Sequence, residues 1–387
     1  MVHNISYVLF DTAASRSLLY PFSITRPLAH LWLGGCTLQQ WWQQYIQAPV
    51  HYLTEGYLQW QPAPSQGPYI LIDATVIPNK AIATQISQLM PGETLEDEHG
   101  IIAFGAEALP VFNQLPVWSN SRVTVANQTR LTHASSLWQL NQQALSQQAA
   151  WLTHGWPLQQ AHDSNRVWGH ALYVHEHAQV QGCMINTSTG PVIIANGALV
   201  MEGTCIRGPV YIGEGAVVKM GATLYGATTV GPYCVAGGEI KNSLIYPYSN
   251  KAHHGYLGDS VVGSWCNLGA GTTNSNIKNT ASPVKVWHQN SQSFLPIGTK
   301  AGLLMGDFCQ TAINTSLNTG STVGVSVSLH GQGFPPKHVP SFTWGFQEPY
   351  ALQQALANIQ NWMSLKGQEL SPVMRQMLIH LYHQSQV

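Results

Sequence analysis

Aliphatic residues recur at every sixth position through the middle of the chain. The first run comprises Ile194, Val200, Ile206, Ile212, Val218, Leu224 and Val230. A second run comprises Met305, Thr311, Leu317, Val323 and Leu329. An amphipathic helix would repeat every ~3.6 residues and a half-buried strand about every two. A period of six therefore predicts a parallel β-helix with three short, flat sides per turn.

Each hexad of such a coil forms one short strand and one tight corner, and its aliphatic side chain points into a narrow interior. Glycine and small residues between the aliphatic positions suit corners where φ is positive. We expect a left-handed coil, an exception to the usual right-handed crossover. The period is interrupted over 242–255 and again over 277–303. Interruptions in a solenoid become loops, often on its binding side.

The first part of the chain alternates strand-like and helix-like segments instead. The runs Ser6–Phe10 and Tyr69–Val76 are aliphatic and bounded by turn residues, which favours buried strands. The segments Leu38–Ile46 and Lys80–Met90 favour helices between and after them. This alternation predicts an α/β domain with a mostly parallel sheet.

These patterns divide the chain into four parts. We predict an α/β domain over 1–155, which ends with a helix over Leu137–Leu152, and a polar linker over 156–166. The β-helix is predicted over 167–345. A tail over 346–387 carries two amphipathic helical patterns.

Composition limits the function classes. Only 9% of the 387 residues are charged and the formal net charge is −1, so neither nucleic acid nor a membrane surface is an expected partner. The chain shows no secretory signal and no apolar run of the ~18 residues that a membrane span requires. The six cysteines are scattered, which is typical of buried thiols in a reducing cytoplasm.

The few lysines are concentrated in the β-helix. Seven of the nine lie between Lys219 and Lys337. In a chain so poor in charge, this concentration indicates an anionic ligand there, although lysines that merely keep an extended surface soluble would give the same count.

Residues 238–276 combine the groups that acyl transfer to an amine requires. His253 and Tyr256 stand close together in a segment that also holds lysines. An accessible imidazole can take a proton from an amine. The glycine-rich turn around Ala270 offers free backbone N–H groups to an oxyanion or a phosphate.

The segments SNKAHHGYLGD (249–259) and NLGAGTTNSN (267–276) resemble the acetyltransferase half of the bacterial bifunctional enzyme that acetylates glucosamine-1-phosphate and then uridylylates it. The resemblance implies that His253 is the catalytic base. It implies sugar-phosphate contacts from Lys241, Tyr256 and Asn267, and acetyl-CoA contacts from Ala270 and Asn276. It also implies a homotrimer that binds the acetyl-CoA co-substrate between neighbouring β-helices.

Two departures leave the acceptor open. The family places an arginine about eighteen residues before its lysine, but Thr223–Pro232 contains none. The family's further phosphate-binding lysine has no fixed counterpart, because the segment after Asn276 is longer; Lys278, Lys285 and Lys300 are the candidates. The acceptor is therefore an amino-sugar phosphate or a nucleotide amino sugar, and need not be glucosamine-1-phosphate.

Over nearly its full length the chain resembles a divergent branch of sugar nucleotidyltransferases. Segments such as LLYPFSITRP, GGEIKNS and INTSLNTG carry this likeness. The family's phosphate-binding glycines are missing from DTAASRSLLYPFSITRP (11–27), where Arg16 and Arg26 stand near its basic positions. Asp73 is the candidate metal ligand, and Mg²⁺ would be needed only if this domain is active. The alternatives are nucleotidyl transfer as the main activity and a catalytically silent trimeric scaffold.

Overall fold

The computed structural model describes residues 5–114 and 121–385. Contacts divide the chain into two units, one of residues 1–32 and 36–136, the other of 33–35 and 137–387. The helix predicted over Leu137–Leu152 therefore groups with the second unit. The four predicted parts of the chain stay predictions.

The first unit is built on a six-stranded mixed sheet. Its strands are β1 (Ser6–Phe10), β2 (Val50–Leu53), β3 (Tyr69–Asp73), β4 (Glu93–Asp97), β5 (Gly100–Ala106) and β6 (Ser121–Thr124), in the order β2-β1-β3-β5-β4-β6. β1 pairs in parallel with β2 and β3, as the alternating pattern predicts. β5 is antiparallel to both β3 and β4. The turn between β4 and β5 is so short that it can only reverse the chain, which explains the second pairing.

Side-chain caps fix the helices of this unit. They are α1 (Ala13–Leu18), α2 (Leu38–Ile46) and α3 (Lys80–Ile86), with 3₁₀ turns at Phe22–Ile24, Leu28–His30 and Gly56–Leu58. Thr37 caps α2 in a reciprocal pair with Gln40, and the Asn79 side chain accepts from Ile82 N at the start of α3. Two-residue strands lie at Trp32–Leu33 and Cys36–Thr37.

The second unit contains a parallel β-helix with three sides, which confirms the prediction from the hexads. Side 1 comprises Arg166–Trp168, Met184–Asn186, Cys205–Arg207, Thr223–Tyr225, Glu239–Lys241 and Tyr256–Gly258, and beyond them the pair Thr273–Asn274 and Ser316–Leu317. Side 2 comprises Leu172–Val174, Val192–Ile194, Val210–Ile212, Thr228–Val230, Leu244–Ile245, Val261–Val262, Leu303–Met305, Ser321–Val323 and His338–Val339. Side 3 comprises Gln179–Val180, Leu199–Val200, Val217–Val218, Val235–Ala236, Asn250–Lys251, Asn267–Leu268, Gln310–Thr311, Ser328–Leu329 and Thr343–Trp344, and it ends on the antiparallel Glu348–Pro349.

The hexad residues fill the interior of this coil. All twelve residues of the two sequence runs are buried, most of them completely. Their burial supplies the hydrophobic driving force that short strands cannot gain from local propensity.

The two interruptions of the period have different structures. The prediction of a loop over 242–255 is wrong, since strands continue through it at Leu244–Ile245 and Asn250–Lys251. The coil is shortened here, by two residues between Ala236 and Ile240 and by one between Ile240 and Ile245. A lysine, Lys251, then takes an interior position. The second interruption is an inserted β-hairpin, Val284–His288 with Ser293–Gly298.

Three helices complete the second unit: α4 (Ser136–Leu152), α5 (Leu352–Ser364) and α6 (Pro372–Ser385). The two tail helices confirm the prediction from the amphipathic patterns. The amide of Asn141 on α4 contacts Thr229 of side 2 and accepts from Gly34 N at 2.9 Å, which is why 33–35 groups with this unit. None of the described helices is long and apolar enough to span a bilayer.

Candidate active site

His253 lies at the corner that joins side 3 to side 1, between the strands Asn250–Lys251 and Tyr256–Gly258. Its side chain is exposed. The level below is formed by glycines, and a Cβ on Gly238 would lie 2.8 Å from the carbonyl oxygen of His253. Gly255 has φ +128°, and a Cβ there would lie 2.1 Å from the Thr272 oxygen. The corner that presents His253 therefore depends on glycines below and beside it.

A buried lysine lies beneath this corner. Lys251 is 1% exposed, and its Nζ donates to the carbonyl oxygens of His253 at 2.6 Å and Gly237 at 3.2 Å. Burial lowers the pKa of Lys251 to about 8. The sequence reasoning missed this residue, although its spacing from Ile245 and Leu257 carried the signal.

The glycine-rich turn containing Ala270 occupies the next level of the same corner. Gly271 N donates to the His254 carbonyl oxygen at 3.1 Å, and Gly269 N donates to Thr311. Within the described part of the chain, no acceptor is paired with the amide of Ala270. A free N–H one level away from His253 is the arrangement an oxyanion site requires.

Tyr256 lies across side 1 and points away from His253. Its hydroxyl accepts from Asn276 Nδ2 at 3.0 Å. Burial raises the pKa of Tyr256, and the nearby Asp259 and Glu239 carboxylates raise it further. The hydroxyl therefore stays protonated at neutral pH and can donate to an acceptor oxygen of a ligand.

An amide–carboxylate network fixes the far edge of side 1. Asn276 Nδ2 donates to Asp259 Oδ2 at 2.5 Å, and Asn242 Nδ2 donates to Asp259 Oδ1 at 2.6 Å. Asn276 is 9% exposed. Its amide is thus engaged with Tyr256 and Asp259 and does not reach into open space.

Lys241 belongs to a row of outward residues on side 1. Its register neighbour is Tyr225, and the neighbour of Tyr225 on the level below is Arg207. Tyr225 donates to Glu239 at 2.5 Å, and this hydrogen bond is the main reason that the pKa of Tyr225 rises to about 12. Tyr225 thus stands where the resemblance would place an arginine, and Arg207 lies about 10 Å from Lys241 at two strand spacings.

Asn267 lies on side 3, in register with Asn250, whose amide contacts it at 3.4 Å. It is half-buried on the outer face, one level above the strand that leads into the His253 corner. The structure therefore brings His253, Ala270 and Asn267 to neighbouring levels of one corner.

Lys278 and Lys285 lie on the inserted hairpin region, at the opposite edge of side 1 from His253. Lys278 donates to the Pro283 oxygen at 2.6 Å, and Lys337 donates to the Lys285 oxygen at 3.0 Å. The pKa of Lys337 is lowered by burial and then by the charges of Lys278 and Lys285. Within one chain, Lys278, Lys285 and Lys337 therefore lie together at this edge and not beside His253.

In the α/β unit, Arg16 is 5% exposed and serves internal contacts. It forms an ion pair with Asp11 at 3.4 Å, and its Nη2 donates to the Ser23 oxygen at 2.5 Å. Its Nε lies 3.3 Å from Glu55. Arg26 is 9% exposed, and its carbonyl oxygen accepts from Arg16. Both arginines are therefore inside the domain rather than on an open phosphate site.

Asp73 ends β3 and is bridged to a second carboxylate. Arg130 contacts Asp73 at 2.9 Å and Asp97 at 3.0 Å. The other Asp73 oxygen accepts from the backbone and hydroxyl of Thr75. Over 5–114 and 121–385, no group of three or more His, Cys, Asp or Glu side chains is placed to hold a metal. A divalent ion at Asp73 would have to displace Arg130.

The comparison with known proteins first indicates the class of protein. Residues 7–156 match the family model described as sugar nucleotidyl transferase. The bifunctional protein GlmU of Methanococcus maripaludis is 39% identical over 160 residues, which cover 40% of this chain and 38% of that protein. GlmU of Methanocaldococcus jannaschii is 35% identical over 86 residues, 22% of this chain and 21% of the relative. A bifunctional sugar-1-phosphate nucleotidylyltransferase/acetyltransferase of Sulfurisphaera tokodaii is 32% identical over 92 residues, 24% and 23% of the two chains.

These matches confirm the resemblance: the chain is similar to GlmU-type bifunctional transferases. The alignments span between about a fifth and two fifths of the length of these relatives. Among solved structures, the polysialic acid O-acetyltransferase OatWY aligns with 48% of this chain and 82% of its own, at 11% identity and a TM-score of 0.23. A TM-score this low supports no argument about fold or function.

Proposed function

We propose that the β-helix transfers an acetyl group from acetyl-CoA to the amine of an amino-sugar phosphate or a nucleotide amino sugar. The observation that carries the proposal is the corner of His253. An exposed imidazole stands there on a hydrogen-bonded backbone, one level from the unpaired amide of Ala270. The names of the GlmU-type relatives, one of which includes acetyltransferase, support the same chemistry.

In the proposed reaction His253 accepts a proton from the sugar amine as the nitrogen attacks the thioester carbonyl. The N–H of Ala270 donates to the oxyanion of the tetrahedral intermediate. The C–S bond then breaks, and the CoA thiolate leaves and takes up a proton. A positioned general base is typically worth ~10²–10⁴ in rate.

The sugar and its phosphate are assigned to Lys241, Tyr256 and Asn267. Lys241 supplies a charge for the phosphate, and the protonated hydroxyl of Tyr256 supplies a hydrogen bond. Asn276 holds the Tyr256 hydroxyl, in addition to its assigned place on the acetyl-CoA side.

We also propose a homotrimer in the cytoplasm. Within one chain, His253 and the lysines 278, 285 and 337 lie at opposite edges of side 1. In a three-fold assembly, the hairpin lysines of a neighbouring chain would face the His253 corner and supply charge for the anionic parts of the substrates. Acyl transfer would then require the assembled protein.

The match of residues 7–156 to a sugar nucleotidyl transferase family favours a second candidate, nucleotide transfer to a sugar-1-phosphate with Mg²⁺. Arg16, Arg26 and Asp73 are the residues assigned to it. Pyrophosphate release from any of the four common nucleoside triphosphates, lost in Asp73→Ala, would support this activity. No release would leave the α/β unit as a scaffold.

The direct test of acetyl transfer is product identification. The protein is incubated with acetyl-CoA and single amino-sugar phosphates or nucleotide amino sugars, and mass spectrometry looks for the N-acetylated sugar. We expect one acceptor class to be acetylated, and acetylation to require the free amine. If no acceptor is acetylated by a folded trimer, the silent scaffold replaces the proposal.

A further inference from the structure

We propose that Lys251 is a positioning residue for His253. Its side chain runs through the interior of the coil, and its ammonium donates a hydrogen bond to the carbonyl oxygen of His253, the proposed base. The inference rests on the proposed role of His253. It concerns the backbone of the corner and gives Lys251 no contact with substrate.

The position of Lys251 in the coil is an interior one. Its register neighbour on the level below is Ala236, and the next residue in that column is Val218. On the level above, Leu268 continues the column, since Asn250 pairs with Asn267. These neighbours are buried and apolar. An ammonium group in this column needs an explanation, because a leucine there would fill the interior without the desolvation cost.

The hydrogen bonds supply that explanation. Nζ reaches from the interior to the corner, where it donates to His253 O at 2.6 Å and Gly237 O at 3.2 Å. A charged donor makes a hydrogen bond about twice as strong as a neutral one. A Cβ on Gly237 would lie 2.4 Å from the Ala252 oxygen, so the two backbones approach closely beside these hydrogen bonds.

Among the described residues, no carboxylate compensates the charge. Burial is the cause of the lowered pKa of Lys251, and no acidic group contributes to it. The titratable groups around it include the imidazoles of His253 and His254, the thiols of Cys234 and Cys266, and Glu239 and Tyr256 on side 1. A second ammonium, Lys366 Nζ, donates to the Asn250 side-chain oxygen at 2.9 Å. Burial raises the pKa of both thiols, so they are neutral. The carbonyl oxygens are therefore what holds the ammonium in place.

The orientation of a carbonyl fixes the peptide plane, and with it the direction in which the His253 side chain leaves the corner. Misplacing a catalytic group by ~1 Å can cost ~100-fold in rate. Loss of the ammonium should therefore lower kcat, while acyl-CoA binding, which uses other residues, should change little.

The first experiment needs no activity. Hydrogen–deuterium exchange of the peptide around 250–258 is compared between the wild type and Lys251→Met, which keeps the length of the side chain and removes the donor. We expect faster exchange at this corner in the variant and no change in a peptide over 205–218. Lys219→Met, which removes an exposed lysine of the same coil, is the control. If Lys251→Met does not fold, Lys251→Leu takes its place, because an apolar side chain fills the interior and also removes the donor. Protection at this corner equal to that of the wild type would overturn the proposal.

The second experiment is the pH profile of acetyl transfer. In the wild type, kcat should fall as the pH rises through about 8. In Lys251→Gln, kcat at pH 7 should be ~10–100-fold lower and this alkaline fall should be absent. The KM of the variant for acetyl-CoA should stay within about twofold of the wild-type value. An unchanged kcat, or an alkaline fall that persists in Lys251→Gln, overturns the proposal. If the exchange experiment gives the expected result but the protein acetylates no acceptor, the proposed role of His253 is contradicted. The positioning of the corner by Lys251 is not.

Discussion

The hydroxyl of Tyr256 lies directly over the α-carbon of Gly258, so close that a Cβ on residue 258 would be 2.1 Å from the oxygen. Gly258 does not have a left-handed φ, so the backbone itself would accept alanine. The ring of Tyr256 is what excludes a side chain there. It therefore lies flat across side 1 and carries its hydroxyl to Asn276.

Gly258→Ala should displace this ring and destabilise the coil by about 1–3 kcal/mol through overpacking. Tyr256→Ala combined with Gly258→Ala should lose less stability than the sum of the two single changes, because removing the ring removes the clash. Denaturant unfolding of the four proteins measures this coupling. Additive losses would show that the two residues are not in the contact described.

Tyr256→Phe tests whether the hydroxyl contacts the acceptor. It keeps the ring and removes one hydrogen bond, worth about 0.5–1.5 kcal/mol, so KM for the acceptor should rise by up to about tenfold with kcat nearly unchanged. Steady-state acetyl transfer measures both constants. Tyr233→Phe is the control, since that hydroxyl contacts Glu214 at another corner. Equal effects of the two changes would contradict a sugar contact at Tyr256.

The stability of the coil should depend on pH through Lys251. Its pKa is about 8 in the folded protein against 10.5 ordinarily, so between these values the unfolded chain binds the proton more tightly. Unfolding free energy therefore rises with pH across this window, and the cost of the buried ammonium is fully present below pH 8. The stability of the wild type relative to Lys251→Met should thus increase from pH 7 to pH 10.5. A constant difference would show that Lys251 has an ordinary pKa.

Arg16→Ala should destabilise the α/β unit strongly. A loss of pyrophosphate release in a destabilised variant would not assign Arg16 to nucleotide binding. The change leaves Asp11 buried without its cation, and breaking such a pair costs about 3–5 kcal/mol. Chemical denaturation followed by the tryptophans of this unit measures the loss, with the exposed Arg166→Ala as control. A fully stable Arg16→Ala protein that has lost pyrophosphate release would instead assign Arg16 to the nucleotide.

The fold was predictable wherever the pattern was periodic. Most of the coil followed from its hexads because most interior positions are apolar and many corners hold glycine or another small residue. The segment around His253 did not, since the coil that leads into it is three residues shorter and Lys251 is a polar residue at an interior position. Polar burial of that kind breaks a hydrophobic pattern, here at the corner that carries the proposed base, His253.

Only those candidate site residues that belong to a local sequence motif were predictable. His253, Tyr256 and Ala270 follow a motif, and the structure brings His253 and Ala270 to adjacent levels. The pairing of Asp73 with Arg130, 57 residues away, could not be read from the sequence, because it depends on long-range packing. The gathering of Lys337 with the hairpin lysines has the same cause.

The rate of thiol release from acetyl-CoA tests the central claim most directly. The wild type, His253→Ala and His254→Ala are compared with the best acceptor, after sizing and circular dichroism have shown equal assembly and folding. We predict release that requires an amine, falls by ~10²–10⁴ in His253→Ala and persists in His254→Ala. Amine-dependent release that survives in His253→Ala would contradict the assignment of the base, and no release from any of the three would contradict acetyl transfer itself.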